Sequence, residues 1–412
     1  DKEKVMAQNN ARGQKDPDNR NSYTRKRRRW LSATALVVAV IFVVWTVAAS
    51  LMSVWAADGS SGTTAGSSAK ASTNDMRGIW VSTVMNLDYP STKTTDAAAL
   101  KAEADRILDN VKAMNMNTVF LQVRPCGDAL YRSDIFPWSS YISGTQGVAP
   151  SDGFDPLEYW VSAAHARGLE LHAWINPYRI TRGGDAEWNS LAASNPAKGD
   201  HADCVVKYSD GNYYYDPGNP ESIDLIVKGA LEIVNNYDVD GIHMDDYFYP
   251  TFTSSNVNSA FDAKEYRAST MAKSKKGIVT FRRQQVNILV KDIHSAVKAI
   301  NPNVTFGISP AGNIDNLTSR YSYYVDINKW LNSSDYVDYI CPQIYWGFEH
   351  PYSKIDKVTN RWMKAAKSKK VKVYIGIAVY RAGHNTGAGS RERREWKSDA
   401  NVLKKQVQYA RK

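Results

Sequence analysis

A parallel (β/α) barrel is the fold class this sequence predicts, and three observations predict it. From residue 75 onward, short apolar β-rich runs alternate with amphipathic helical stretches. The runs are apolar on both faces, as strands covered by helices on either side must be. No GxGxxG follows the first run, which argues against a doubly wound nucleotide-binding sheet. Seven strand–helix units over roughly 330 residues fit a TIM-type barrel with insertions.

The segments before the barrel read in order. Residues 1–30 carry ten Lys/Arg against four Asp/Glu and are otherwise polar, a disordered basic tail. The basic cluster 25–29 abuts residues 31–57, a run of 27 without a charge. That length can span a bilayer as a helix, and the preceding cluster places the N-terminus in the cytoplasm. The expectation is a single-pass membrane anchor with the barrel outside the cytoplasm. Secretion after signal cleavage is the alternative, but the run is nearly twice an ordinary signal core of about 7–15 residues. Residues 58–74, rich in Gly, Ser, Thr and Ala, read as a flexible linker into the barrel of residues 75–412.

Within the barrel the predicted strands are 78–84, 118–123, 169–175, 241–245, 304–309, 336–344 and 373–379. Helical stripes lie between them: Leu100, Ile107, Leu108, Val111 and Met114; Ile223, Ile226, Val227, Ala230, Ile233 and Val234; Val286, Leu289, Val290, Ile293, Val297 and Ile300. Asn219-Pro220-Glu221 supplies an N-cap, a first-turn Pro and an early acid for the second of these helices. An insertion at 185–218 follows the third strand and holds a hairpin pattern around Ser209-Asp-Gly-Asn212. A polar insertion at 251–277 follows the fourth and is a candidate lid. After the helical pattern 391–411 no eighth strand follows, so the expectation is either a fragment of a longer chain or a barrel left open at its seam.

Composition excludes some functions. The net charge is +10, but +6 of it sits in the first thirty residues, and no basic stripe with interleaved aromatics stands out, so nucleic acid is not an expected partner. Three cysteines with no CxxC argue against a disulfide framework and against structural zinc. Twelve Trp and twenty-four Tyr suit sugar rings as well as cores.

In such a barrel the working groups sit at the carboxyl ends of strands. Those positions hold Asn86 and Asp88; Gln122, Arg124 and Asp128; His172, Asn176, Tyr178 and Arg179; His243, Asp245 and Asp246; Ser309 and Asn313; Gln343, Tyr345 and Glu349. The sharpest segment is Asp240-Gly-Ile-His-Met-Asp-Asp-Tyr247. Strand alternation puts His243, Asp245 and Tyr247 on one face and Met244 and Asp246 on the other. An ionised carboxylate buried at a strand end is costly without partners, so two adjacent Asp there point to chemistry or to an ion pair with an Arg such as Arg124. Glycoside hydrolysis needs a proton donor and a second carboxylate. Asp245 with Asp246, or with Glu349, can supply them. The metal alternative is His172 and His243 meeting Asp245, but the first-strand HxH pattern is absent, and no metal or cofactor is expected.

The runs Arg77-Gly-Ile-Trp-Val-Ser82, Leu121-Gln-Val-Arg-Pro125, the stretch from Ala164 to Arg179, Tyr213-Tyr-Tyr-Asp-Pro-Gly218, Asn236 to Pro250, Phe306-Gly-Ile-Ser-Pro310 and Pro342-Gln-Ile-Tyr-Trp346 resemble the glycosyl-hydrolase-like 10 family. The resemblance implies a TIM-barrel hydrolase of bacterial envelopes, with relatives that cut peptidoglycan strands stripped of stem peptides. It implies Asp245 and Asp246 as catalytic groups, with Arg124, His172, Asn176, Gln343 and Tyr345 lining the groove. Asp128, Tyr178, Arg179, His243, Tyr247 and Trp346 complete the expected substrate-binding set, and Glu349 is carried as a third catalytic candidate. Phe281 stands where the family commonly has Trp before the Arg282-Arg283 pair. The fourth-strand motif also resembles the DGxDxDxE signature of family 18 chitinases, but His243 and Tyr247 occupy its flanking positions and its catalytic Glu is not present. Tyr345 falls where those enzymes hold an N-acetyl group. The expected partners are therefore a polysaccharide and, through 31–57, the membrane.

Overall fold

The computed structural model describes residues 75–245, 247–257, 261–274, 277–366 and 370–412. The tail, membrane span and linker expected over 1–74 lie outside the described residues. No helix among those described is long and apolar enough to cross a membrane.

One sheet organises the chain. Its strands are β1 (Gly78–Val81), β2 (Thr118–Arg124), β3 (Glu170–Ile175), β6 (Gly241–Asp245), β7 (Thr305–Ser309), β8 (Tyr339–Ile340) and β9 (Lys372–Val373). They are all parallel and stand side by side in chain order. The predicted hairpin forms between β4 (Val205–Lys207) and β5 (Tyr213–Tyr215), antiparallel and apart from the main sheet. It is laid against the strand-three loop by Tyr215 N–H to Tyr178 O at 2.8 Å and Ile180 N–H to Tyr213 O at 3.0 Å.

The sheet curls. Trp80 of β1 donates its indole N–H to His243 Nε2 of β6 at 3.1 Å, although β6 lies three places along the sheet. In a flat sheet those backbones would stand roughly 14 Å apart with parallel side chains. Among the described residues β1 and β9 remain edges, and no eighth strand joins them. Arg411, just past the last helix, instead reaches Asp75 at the start of β1, 2.8 Å away. The sheet is thus a curled, open half-barrel.

Several predicted strands are shorter than their apolar runs. The run 78–84 ends at Val81 and turns into a 3₁₀ helix, Val84–Asn86. The run 336–344 is ladder-paired only at Tyr339–Ile340, because Pro342 has no N–H to donate. Single bridges at Ala311, Gln343 and Gly376 continue it.

The helices cover the outer face for the reasons their sequences give. They are α1 (Ala97–Ala113), α2 (Pro156–Ala166), α3 (Pro220–Asn236), α4 (Ile278–Ile300), α5 (Ile355–Ala365), α6 (Gly389–Ser398) and α7 (Val402–Ala410). Asp96, Asp155 and Asn219 cap α1, α2 and α3 by accepting from the first-turn N–H groups. Leu100, Ala104, Leu108 and Val111 of α1, and Ile223, Ile226, Ala230 and Ile233 of α3, are buried against the strands. The pattern 391–411 is two helices, separated where Asp399 accepts from Asn401 N–H.

Inside the curl the lumen is filled by packed aromatic side chains. Gly241 leaves room for His172, whose ring would lie 2.6 Å from an added Cβ, and Gly307 leaves room for Tyr339 at 2.0 Å. Phe120 stacks on Trp80 at 4.6 Å and tilts against His243 at 4.5 Å. The Tyr339 hydroxyl lies 2.9 Å from Nδ1 of both His172 and His243. Proton positions follow from Trp80, which can only donate. His243 Nε2 accepts from it, so Nδ1 carries the proton and donates to Tyr339, whose own O–H points to His172. Burial lowers His172 to about 4 and puts His243 well below its usual value, which keeps both rings neutral.

Tyr339→Phe should leave two buried imidazole nitrogens unpaired and lower the unfolding free energy by on the order of 2–3 kcal/mol in urea melts. His172 titrates near 6.5 when unfolded and near 4 when folded. Its contribution is therefore present above pH 6.5 and lost as pH falls towards 4. Stability in the wild type should decline across that acidic window.

Candidate active site

Asp245 ends β6 at the carboxyl mouth of the curled sheet and is 5% exposed. The alternation expected from sequence holds here: His243 and Asp245 point inward, while Ile242 and Met244 are buried in the outer core. Asn176, just past β3, donates from Nδ2 to Asp245 Oδ2 at 2.6 Å. Gln122 of β2 donates in turn to Asn176 Oδ1 at 2.6 Å. The Gln122 side-chain oxygen Oε1 accepts from Thr83 N–H at 3.0 Å, Val84 N–H at 2.9 Å and the Ser82 hydroxyl at 3.1 Å. The early end of β1 is thus what orients the chain of amides that holds the carboxylate. Tyr247 N–H reaches Asp245 Oδ1 at 3.3 Å.

Burial pushes the Asp245 carboxyl up, the largest influence on it. The Arg179 charge, the Asn176 bond, the Tyr247 N–H and the nearby Trp174 indole oppose it, and burial prevails. Arg179 does not pair with Asp245 directly. Its Nε and Nη2 both donate to Pro125 O, at 3.0 and 2.7 Å, and its guanidinium lies 5.9 Å from the Tyr247 ring. Trp174, inward-facing on β3 and absent from the expected site, is half-buried. The period-two alternation that selects His172 selects Trp174 as well.

The rim is aromatic and partly open. Tyr247 is 59% exposed and Tyr380, also missed, is 66% exposed. Tyr380 meets half-buried Tyr345 edge-on at 6.2 Å. Gln343 donates from Nε2 to Ser309 O at 2.8 Å, which ties the mouth of β7 to the segment after β8. Trp346 is half-buried over Gly312, where a Cβ would stand 2.8 Å from the indole.

Other expected site residues lie elsewhere. Arg124 does not face the groove. A register shift between Gln122 and Arg124 turns it outward, where it stacks 3.8 Å over Phe136 and against Gly229 of α3. A Cβ on Gly229 would sit 2.4 Å from Arg124 Nη1. His172 and His243 do meet, but through the Tyr339 hydroxyl, beneath the mouth and sealed from it, so they neither line the groove nor offer Nδ1 to a metal. Asp128 is buried under the strand-two loop, with its carboxyl pushed up to about 6 by burial against the pull of Ser139. Tyr178 is buried beside the hairpin, its hydroxyl without a partner among the described residues. Glu349 is exposed in a separate cleft with Phe348, Arg391, Arg394, Glu395 and Lys405, none of which holds Asp245. Asp246 lies outside the described residues.

The candidate lid is pinned at its centre. Asp262 and Arg282 are both 0% exposed and pair at 2.6 Å, with a further bond from Arg282 Nη1 to Val257 O at 2.9 Å. Breaking such a pair costs about 3–5 kcal/mol.

The profile of the glycosyl hydrolase-like 10 family matches residues 75–395. Over 328 residues the sequence is 38% identical to glycosyl hydrolase YngK of Bacillus subtilis, covering 76% of this chain and 62% of that protein, which is less than two thirds of its length. Over 364 residues it is 34% identical to glycosyl hydrolase DigH of Escherichia coli, covering 82% of this chain and 80% of that one. The glycoside hydrolase domain of PgaB (BpsB) from Bordetella bronchiseptica aligns with a TM-score of 0.48 at 14% identity, over 82% of this chain and 90% of that domain.

Asn176→Ala removes a bond that favours ionised Asp245. The Asp245 titration, followed by carboxyl carbon NMR against an Asp245→Asn blank, should move to higher pH by about one unit. An unmoved midpoint would remove Asn176 from the control of this carboxyl.

Proposed function

The chain belongs to the glycosyl hydrolase-like 10 family, and on that premise we propose that it is a glycoside hydrolase of bacterial envelope glycans. The observation that carries the reading is the oriented Asp245 carboxyl at the strand-end mouth. Asp245 is fixed through Asn176 and Gln122, raised by burial and overlooked by an aromatic rim. A carboxyl raised in this way can hold a proton for the leaving oxygen, and a rim of Tyr and Trp faces can seat sugar rings.

In this proposal Asp245 and the adjacent Asp246 are the carboxylate pair. Glu349 is dropped from it, since it sits in another cleft. Arg179 stands close enough to favour negative charge on Asp245 without neutralising it. The polymer we propose is the peptidoglycan glycan strand lacking stem peptides. The motif resemblance to that class supports it. So does the uncharged run 31–57 behind a basic cluster, which would place the barrel at the cell envelope. Exposed Tyr247 and Tyr380 suit a chain lying across this end of the sheet rather than a small enclosed ligand.

Product masses from denuded sacculi, intact sacculi and a panel of other polysaccharides test both levels of the proposal. Muropeptide-free fragments should come from denuded sacculi, with at least about a hundredfold less from Asp245→Asn. Because that variant removes a buried ionisable group whose pKa is raised, its melting temperature at pH 7 should equal or exceed the wild type. Products from another polymer alone would overturn the peptidoglycan assignment. Tight binding to sacculi with no product from any polymer would overturn the enzyme.

A further inference from the structure

Away from the mouth, the insertion between β3 and α3 brings together an imidazole, a thiol and a carboxylate. One ligand atom each from His201, Cys204 and Glu221 lies within 4.8 Å of the other two. Cys204 is buried, and its Sγ stands 3.7 Å from Glu221 Oε2. Separately, Nδ1 of His201 is buried with no hydrogen-bond partner among the described residues. A buried ring nitrogen left unpaired costs about 1–3 kcal/mol, which a ligand meeting it would recover. Glu221 is exposed, which leaves an entry path.

The backbone holds these side chains in place before any ligand arrives. His201 N–H donates to Pro196 O at 3.0 Å and Cys204 N–H to His201 O at 3.0 Å. Asp216 N–H donates to Cys204 O at 2.8 Å, which fixes the turn to the far end of the hairpin. Glu221 N–H is capped by Asn219 Oδ1 at 2.9 Å. Asn195, buried, anchors the start of the turn through Gly127 O at 2.9 Å.

We propose that His201, Cys204 and Glu221 form a zinc site, with water as the fourth ligand. Zinc bonds of roughly 2.0–2.3 Å at tetrahedral angles place ligand atoms about 3.3–3.8 Å apart. Donors already within 4.8 Å stand about an ångström from that spacing. On binding, the Cys204 S–H proton leaves to solvent and the thiolate sulfur bonds the metal; water is displaced from the ion. Thiolate and carboxylate then carry two negative charges against the two positive charges of Zn²⁺. A thiolate selects zinc over magnesium or calcium, which prefer oxygen. The ion would fasten the turn that leads into β4 to the first turn of α3, clamping the hairpin's base onto the barrel. This site is independent of the hydrolase reading.

His201 and Cys204 stand three residues apart, while the third donor is seventeen residues further on. A search for paired cysteines passes over that spacing.

Full-length protein stripped with chelator and titrated with Co²⁺ tests the proposal. One equivalent should give a near-ultraviolet thiolate-to-cobalt charge-transfer band that Zn²⁺ abolishes. Cys204→Ser should lose the band. Glu221→Gln, at an exposed position, should keep the fold by circular dichroism and weaken affinity at least about tenfold. Absence of the band in the wild type overturns the site. So does a band unchanged in Cys204→Ser, which would belong to Cys126 or Cys341, or an affinity unchanged in Glu221→Gln.

Discussion

Holding an ionisable carboxyl at the mouth of this sheet depends on the hydrogen-bonded layer directly beneath it. That layer is a one-way relay that begins at Trp80 N–H, passes through His243 and the Tyr339 hydroxyl, and ends on His172. Because an indole can only donate, the direction of every proton below it is set. The relay carries no net charge, so nothing under Asp245 either pairs with it or repels it. It also requires two glycines, since a side chain at Gly241 or Gly307 would strike His172 or Tyr339. Polar atoms in a buried lumen rigidify it when they are satisfied, and here Nδ1 of both histidines is met by one hydroxyl.

Two fully buried guanidiniums are accommodated by two different devices. At Arg124 the backbone does it: the shift in register after Gln122 sends the guanidinium to the helix side, against Phe136 and Gly229. At Arg282 pairing does it, with Asp262 locking the segment after β6 to α4. The second device changes what the insertion 251–277 can do. Arg282 also lies 4.0 Å from the Phe252 ring and 5.3 Å from Tyr324. The insertion is thus fastened to α4 at Asp262.

Much of the fold was legible because its signals are local. Runs of apolar residues mark strands whichever partner they find, and Asn219-Pro220-Glu221 specifies a helix start without help from the rest of the chain. Strand alternation likewise placed His243 and Asp245 on one face. It gave direction without depth, so His172 and His243 read as groove residues when they lie a layer below. Alternation also failed at Arg124, since a register shift leaves no mark in a single sequence. The run 336–344 looked like a long strand because apolarity does not report Pro342's missing donor. Glu349 looked like a partner for Asp245 because a strand-end loop fixes which rim a residue is near, not which cleft it enters.

The distance between Arg179 and Asp245 decides how reactive the carboxyl can be. A bidentate ion pair would hold Asp245 far below the ordinary carboxylate range, as a permanent anion. Instead both arms of that fork are occupied by Pro125 O, and the guanidinium acts on Asp245 only through space. Burial then outweighs the remaining attractions and the carboxyl stays raised. Under the proposed function, a sugar chain settling on Tyr247 would remove more water from the same point. That raises the carboxyl further at the moment a proton is needed, whereas a direct Arg–Asp pair would resist it. The orientation of Arg179, set by one backbone carbonyl, thereby governs the chemistry of a side chain it never touches.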